Sequence, residues 1–459
     1  MLNKLLRYPK IALLNTGNKD FFGYKLLLDQ EKIPYNIVNT LKGKWDLAIL
    51  PINNNLPIQD LLDFVKNGGK ILASYDMDID KGLAITDKIN TFQPFGSGII
   101  YYCSTPMGEE LVKTEYYAPS TERRIIFQWF NQNLLAIEIR NQKRKIRMDF
   151  KHILYKLIGP ITQIWYWPDF YQSCFCQRVD VDFPIKLPFN KGKIINQLNY
   201  IVNNFKDINF SLFLNYSFPK ENKKIEKLFK SATNIEFQSH GCNKKIKHRD
   251  LCYSLNSLLP EEITNMLTET VINKKAIIFA PPCEHVNGLV LNCAEELGIK
   301  FITAGGIAKD DIPRKCFFDH PEYGVINREF SMINIPTSEK EFDPNPSYNL
   351  DMYNLAFDKT ISDNSLFCIY FHPDILLNKK KKRQLSDFFY YVLKNKKEKN
   401  IWFPFMSELA TWWYYRDKVD IQDGNISYRD NDTKTFFSQN KNLKLSIIKW
   451  SPGKITKLI

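Results

Sequence analysis

Carboxylates and imidazoles stand at the ends of apolar runs in this chain. The sharpest case is Arg178-Val179-Asp180-Val181-Asp182-Phe183-Pro184, preceded by Ser173-Cys174-Phe175-Cys176. Strand side chains repeat every two residues, so Arg178, Asp180 and Asp182 point to one side. Two carboxylates in one pocket raise one pKa unless a cation sits between or beside them. The same residues read equally well as a solvated strand end whose Asp residues start a turn before Pro184. Downstream come Glu236-Phe237-Gln238-Ser239-His240-Gly241, His248-Arg249-Asp250, Ile277-Ile278-Phe279-Ala280-Pro281-Pro282-Cys283-Glu284-His285, and Phe367-Cys368-Ile369-Tyr370-Phe371-His372-Pro373. Each follows an apolar run or opens a loop. Imidazole titrates near neutrality and ligates divalent metals, so acid–base or metal-assisted hydrolysis is the chemistry these residues offer.

Such groups need strands to carry them. Strand and helix signals alternate from a junction rich in Trp and Pro, Ile164-Trp165-Tyr166-Trp167-Pro168-Asp169, to about Val419, which is the pattern of an α/β sheet. The first eighty residues show the same punctuation: Lys10 to Asn15, Tyr35 to Val38, Asp46 to Leu50 and Ile71 to Ser74, with helical patterns between and Gly68-Gly69 as a helix cap. A small flavodoxin-like parallel sheet is expected there. Between about Phe95 and Phe150 the runs Ile125-Ile126-Phe127, Leu134 to Ile139 and Lys145-Ile146-Arg147-Met148 read as β-rich. The last forty residues return to short β patterns such as Leu443 to Trp450. The expected domains are residues 1–94, a β-rich connector 95–169, a main domain 170–420 and a β-rich extension 421–459.

Composition sets the outer bounds. The chain has 459 residues, 44% apolar and 14% aromatic, which excludes a disordered or fibrous protein. Apolar stretches such as Ala276 to Pro282 fall far short of the roughly 18 residues of a membrane span, so no transmembrane segment is expected. The start lacks the pattern of a secretory signal, and the expected location is cytoplasmic. Nine cysteines at irregular spacing form neither a disulfide framework nor a paired zinc motif. A formal charge of +13 suggests an anionic partner, part of it discounted because Lys, Asn and Ile are abundant together. Basicity alone does not indicate nucleic acid, for no zinc finger or aromatic–basic module is present. The basic runs Lys379 to Arg383 and Lys394 to Lys399 read as a solvated helix face.

In their order, the motifs of residues 170 to 419 resemble those of the polysaccharide deacetylase family, whose catalytic domain is a distorted (β/α) barrel. The first eighty residues resemble glutamine-amidotransferase-like domains that precede some carbohydrate enzymes. There the nucleophile is missing, because the first cysteine, Cys103, lies beyond the expected sheet. The deacetylase resemblance implies Asp182 and His240 as metal ligands, Asp180 as general base, His372 as general acid, and Pro281 and Pro282 as the wall of a substrate groove. It implies a divalent ion, Zn2+ above others. His285, in the same loop, is a candidate substrate contact.

Two positions depart from the family pattern. The second metal histidine, expected four residues after His240, is replaced by Lys244. His248 takes the place only if the intervening residues bulge out, since eight helical residues span about 12 Å. The arginine expected before the proline pair is Ala280; Arg178, on the strand face of Asp180, is the candidate to orient Asp180 or to meet substrate. His152 and His320 read as structural, and Trp165, Trp167, Trp412 and Trp413 as packing. The resulting expectation is a metal-dependent N-deacetylase of an amino-sugar glycan precursor, phosphate-bearing or lipid-linked at the membrane face. The alternative is an inactive glycan-binding or scaffold protein of a polysaccharide assembly system. Oligomeric state is not readable.

Overall fold

The structure, a computed structural model, describes residues 9–74, 90–112, 141–182, 191–241, 258–272, 276–284, 286–304, 310–320, 325–337, 350–422, 425–440 and 442–458. They divide into two units: the chain up to residue 112 with 141–170 and 414–458, and residues 171–413.

In the first unit, β1 (Ile11–Leu14), β2 (Asn36–Val38), β3 (Leu47–Leu50), β4 (Lys70–Ser74), β5 (Phe92–Phe95) and β6 (Gly98–Cys103) form one sheet of order β2-β1-β3-β4-β6-β5. All ladders are parallel except that of the edge strand β5. β1 and β3 are buried throughout, as expected of parallel strands covered on both faces. Asn18 caps the helix Lys19–Glu31 by accepting from the Phe21 amide at 2.9 Å, and its own amide reaches the Ile52 carbonyl at 2.7 Å. The sheet runs further than the sequence suggests. A boundary at residue 94 cuts β5, and Cys103 is not beyond the sheet but ends β6 opposite Ser74.

Ile125 to Phe127 and Leu134 to Ile139 lie outside the described residues. Lys145 to Met148, expected to be extended, belong to a helix over 141–158. The reason is which residues that helix buries: Lys143, Arg147, Phe150, Lys151, Leu154 and Leu157, a helical stripe that begins with cations. The Lys143 ammonium donates to the Leu111 carbonyl at 2.6 Å. Arg147 and Lys151 reach the buried Glu31 carboxylate at 3.2 and 2.9 Å, and the Tyr166 hydroxyl donates to it at 2.7 Å. Arg416 donates from within the same unit to the carbonyls of Gln30, Ile164 and Trp165. β7 (Ile161–Ile164) completes this part of the chain.

The second unit carries β8 (Ser173–Val181), β9 (Phe210–Leu214), β10 (Ile235–Ser239), β11 (Ile278–Phe279), β12 (Phe301–Ile302), β13 (Arg314–His320), β14 (Val325–Asn334), β15 (Leu366–Phe371) and β16 (Ile401–Trp402). The order is β13-β14-β12-β11-β10-β9-β8-β15, with β16 also on β8, and only the β13–β14 ladder is antiparallel. The sheet curls as a half-barrel. Its ends approach at one place, where the Leu366 amide donates to the Asp311 carbonyl at 2.8 Å and the Ser365 hydroxyl to the Asp311 carboxylate at 2.5 Å.

Alternation decides what faces where. Phe175, Val179 and Val181 of β8, Phe210, Leu212 and Leu214 of β9, and Phe367, Ile369 and Phe371 of β15 pack into one core with Ile194, Leu198 and Ile201 of the helix Lys191–Asn204 and Phe388 of the helix Lys379–Glu398. The residues between them therefore face the inside of the curl: Arg178 and Asp180, Ser211 and Phe213, Cys368 and Tyr370. Trp412 and Trp413 are buried, as are Trp165 and Trp167 in the first unit, so each packs.

The end of the chain returns to the first unit. β17 (Val419–Gln422) pairs with β18 (Asn425–Tyr428), and β19 (Ile447–Ser451) lies between β7 and β20 (Lys454–Lys457). A helix, Asn431–Gln439, interrupts the expected β pattern. Among the described residues, no helix is long and apolar enough to cross a membrane.

Candidate active site

The C-terminal ends of β8, β9, β10 and β15 meet at one edge of the curled sheet, which is where a parallel sheet collects chemistry. Each carries one inward polar side chain just past its last strand residue: Asp182, Asn215, His240 and His372. The Asn215 amide donates to Asp182 Oδ1 at 2.6 Å. His240 Nε2 stands 3.2 Å from Asp182 Oδ2, and His372 Nε2 stands 4.0 Å from the same oxygen. His240 is buried, while His372 and Asp182 keep 27% and 17% of their side chains exposed, enough for a small molecule to reach them.

The orientation of His240 is informative. Its Nδ1 lies 3.0 Å from the Ala280 carbonyl, which can only accept, so Nδ1 carries a hydrogen. A neutral ring would then turn its Nε2 lone pair against the Asp182 carboxylate. The arrangement calls for a proton on Nε2 or a cation beside it. Burial opposes charge on this imidazole, yet Asp180 and Asp182 hold its pKa above the ordinary histidine value. The chain turns directly after His240. Gly241 has φ +65°, and a Cβ there would come within 2.8 Å of the Phe279 ring, so this turn requires glycine.

Asp180 lies behind that pair, 2% exposed. Arg178 holds it through two parallel hydrogen bonds, Nε to Oδ1 at 2.7 Å and Nη2 to Oδ2 at 2.6 Å. Arg178 Nη1 donates to the Thr303 carbonyl at 3.1 Å and to Glu284, and the guanidinium lies 5.0 Å from the Tyr370 ring centre and 5.5 Å from that of Phe213. Burial by itself would raise the Asp180 pKa, but Arg178, with His240 and His372, keeps it below the usual carboxylate range. Arg178 is fully buried; it faces Asp180, not an open groove. Glu284 also accepts from the Thr337 hydroxyl at 3.1 Å.

The structure thus brings together Asp180, Asp182, His240, His372 and Arg178. Pro281 and Pro282 follow Ala280 at the same edge and are buried. His248, Lys244 and His285 lie outside the described residues. Among the described residues, no three His, Cys, Asp or Glu side chains cluster closely enough to hold a metal. Asp182 Oδ2 and His240 Nε2 nevertheless present one oxygen and one nitrogen donor at a separation that a shared ion with bonds near 2 Å spans. The carbonyl behind Nδ1 is the kind of support a ligating imidazole uses. Asn215, Glu284, Thr303 and Thr337 escaped the sequence reading. Asn215 was accessible to it, since it follows β9 as Asp182 follows β8; the others act through positions that only folding reveals.

No known family profile matches the chain, and no curated protein matches it. Solved structures with a similar course include a candidate polysaccharide deacetylase from Mycobacterium smegmatis, 13% identical over 53% of this chain and 91% of its own, with a TM-score of 0.40. A carbohydrate deacetylase, Agd3, is 8% identical over 90% of this chain and 88% of its own, with a TM-score of 0.38. A 4-alpha-glucanotransferase from Thermococcus litoralis is 11% identical over 52% of this chain and 40% of its own, with a TM-score of 0.37. Carbohydrate deacetylases are thus among the structural neighbours, but at these TM-scores the functional reading rests on the side chains above.

Proposed function

We propose that the chain is a metal-dependent amide hydrolase that removes an acyl group from the nitrogen of an amino sugar in a glycan precursor. The observation that carries this reading is the Asp182–His240 pair, whose imidazole is fixed by Ala280 so that Nε2 and a carboxylate oxygen face one another and want a cation. Asp182 and His240 would hold a divalent ion, with Asn215 fixing the carboxylate; His248 is the proposed third ligand. Such an ion, Zn2+ being the natural choice for this donor set, supplies a polarised water and positive charge for a developing oxyanion.

The chain's own groups provide the proton transfers. Asp180 remains ionised beside Arg178, and each carboxylate oxygen keeps a free lone pair after one hydrogen bond, so it accepts a proton from the attacking water. His372, partly exposed at the same edge, donates a proton to the departing amine. Pro281 and Pro282 stiffen the loop beside His240, and substrate would lie along the open side near His372. The inactive alternative draws on Lys244 and Ala280. Arg178 weakens half of that case, because it provides at Asp180 the cation that Ala280 does not.

For the first unit, the strand order β2-β1-β3-β4-β6 supports the reading of a flavodoxin-like domain. Burial pushes the Cys103 thiol up to about 12, which suits a structural cysteine and not a nucleophile. The reading as a whole is tested by metal analysis of the purified protein and by acetate release from N-acetylglucosamine oligosaccharides. One equivalent of divalent ion that disappears in His240→Ala, with acetate release that disappears in Asp180→Asn, supports it. A folded protein that takes up no ion when Zn2+ is offered overturns it.

A further inference from the structure

We infer that Glu284 is a positioning residue for the proton acceptor, acting through Arg178 to lock the Asp180 carboxylate in place. This rests on the hydrolase reading above for its kinetic consequence, and on geometry for its substance. Arg178 and Asp180 sit on one strand, two residues apart. An arginine in that position can turn away along the inner face of the sheet unless something holds its far side.

Glu284 does so from another element. It ends the short 3₁₀ turn Pro282–Glu284 after β11 and accepts from Arg178 Nη1, while Nε and Nη2 remain on Asp180. Its second oxygen is taken by the Thr337 hydroxyl, past the end of β14. The Thr303 carbonyl beyond β12 completes the set around Nη1. Glu284 adopts φ +61°, a left-handed conformation that a residue with a Cβ enters only at a cost, and in that conformation it bonds both Arg178 and Thr337. The chain Thr337–Glu284–Arg178–Asp180 therefore ties the loop that follows Pro281 and Pro282 to the base. Glu284 supplies from this loop a carboxylate, with the arginine placed on β8 instead, so the two charges of the brace come from exchanged positions relative to a loop-borne arginine.

The test compares wild type, Glu284→Gln and Glu284→Asp as purified full chains loaded with Zn2+. Turnover is measured as acetate release from N-acetylglucosamine oligosaccharides, and ion content by mass spectrometry. Loss of the brace predicts a fall in kcat of about tenfold or more for Glu284→Gln with KM within about threefold, an intermediate kcat for Glu284→Asp, and unchanged ion content. Unchanged kcat, or a change confined to KM, overturns it. A second measurement needs no turnover: thermal unfolding of Glu284→Gln, Asp180→Asn and the double variant. Shifts that do not add show the two carboxylates coupled through Arg178; additive shifts overturn the inference. Should wild type release no acetate, the hydrolase reading falls and the coupling alone decides on the brace.

Discussion

His240 Nε2 faces Asp182 Oδ2 across 3.2 Å, although 58 residues separate the two in sequence. Because Ala280 occupies Nδ1, that gap calls for a proton or, on the proposed reading, a metal ion, and the two would compete. Zn2+ affinity should rise with pH while His240 is protonated, by up to about tenfold per pH unit, and level off above its raised pKa. Calorimetric titrations in buffers of different ionisation enthalpy would register the released proton. A pH-independent affinity from pH 6 to 8 would contradict the pairing.

The same raised pKa sets the sign of a stability effect in the metal-free protein. A histidine whose folded pKa lies above its unfolded value of about 6.5 contributes stability that is full below that value. This contribution is lost as pH climbs through the folded pKa. The metal-free protein should melt at a lower temperature above that pKa than near pH 6, and His240→Gln should flatten the dependence, as followed by scanning calorimetry.

Asn215 pins one oxygen of Asp182 and leaves the other toward His240 and His372. Replacing a group that orients a ligand costs roughly 10–100-fold in metal affinity. Asn215→Ala should show such a loss in competition with a chromophoric chelator while retaining its fold. Equal affinity in the two proteins would mean that the amide bond does not hold the carboxylate in solution.

Glu31 is the counter-charge of the first unit. Burial would raise its pKa, but Lys151 and Arg147 hold it below the ordinary value. A depressed carboxyl stabilises above its unfolded pKa, about 4.3, and that stability drains away as pH falls through the folded value. Glu31→Ala leaves Arg147 and Lys151 buried without their counter-carboxylate, at a cost of about 3–5 kcal/mol. Urea denaturation at pH 7 and pH 3 measures both: the difference between wild type and variant should shrink at the lower pH.

Cys103 offers a check on the sheet of the first unit. With its thiol pushed up to about 12, only about one molecule in ten thousand is a thiolate at pH 8. Iodoacetamide should leave Cys103 unmodified in the native protein and alkylate it in urea, with peptide mass spectrometry as the readout. Rapid native alkylation would reopen a nucleophilic role.

Much of the site was legible because strand alternation is local: Arg178, Asp180 and Asp182 had to share a face once β8 was recognised, and a histidine past an apolar run had to end a strand. The alternation of two parallel sheets was legible for the same reason. The helix over 141–158 was not, because its buried stripe contains Lys143, Arg147 and Lys151. Polarity patterns assume that charges seek water, and partners remote in sequence, Glu31 for Arg147 and Lys151 and the Leu111 carbonyl for Lys143, reverse that preference. Nor could the chain announce which group Arg178 would serve. A guanidinium on an inward strand face can meet a substrate or a neighbour, and the choice fell to Glu284, Thr303 and the rings of Phe213 and Tyr370, which close around it only when four strand ends converge. Sequence spacing thus determined which donors exist and which face they share. Distances of a few ångströms between residues tens of positions apart decided what each donor does, because electrostatic and hydrogen-bonding roles depend on neighbours that chain folding alone brings near.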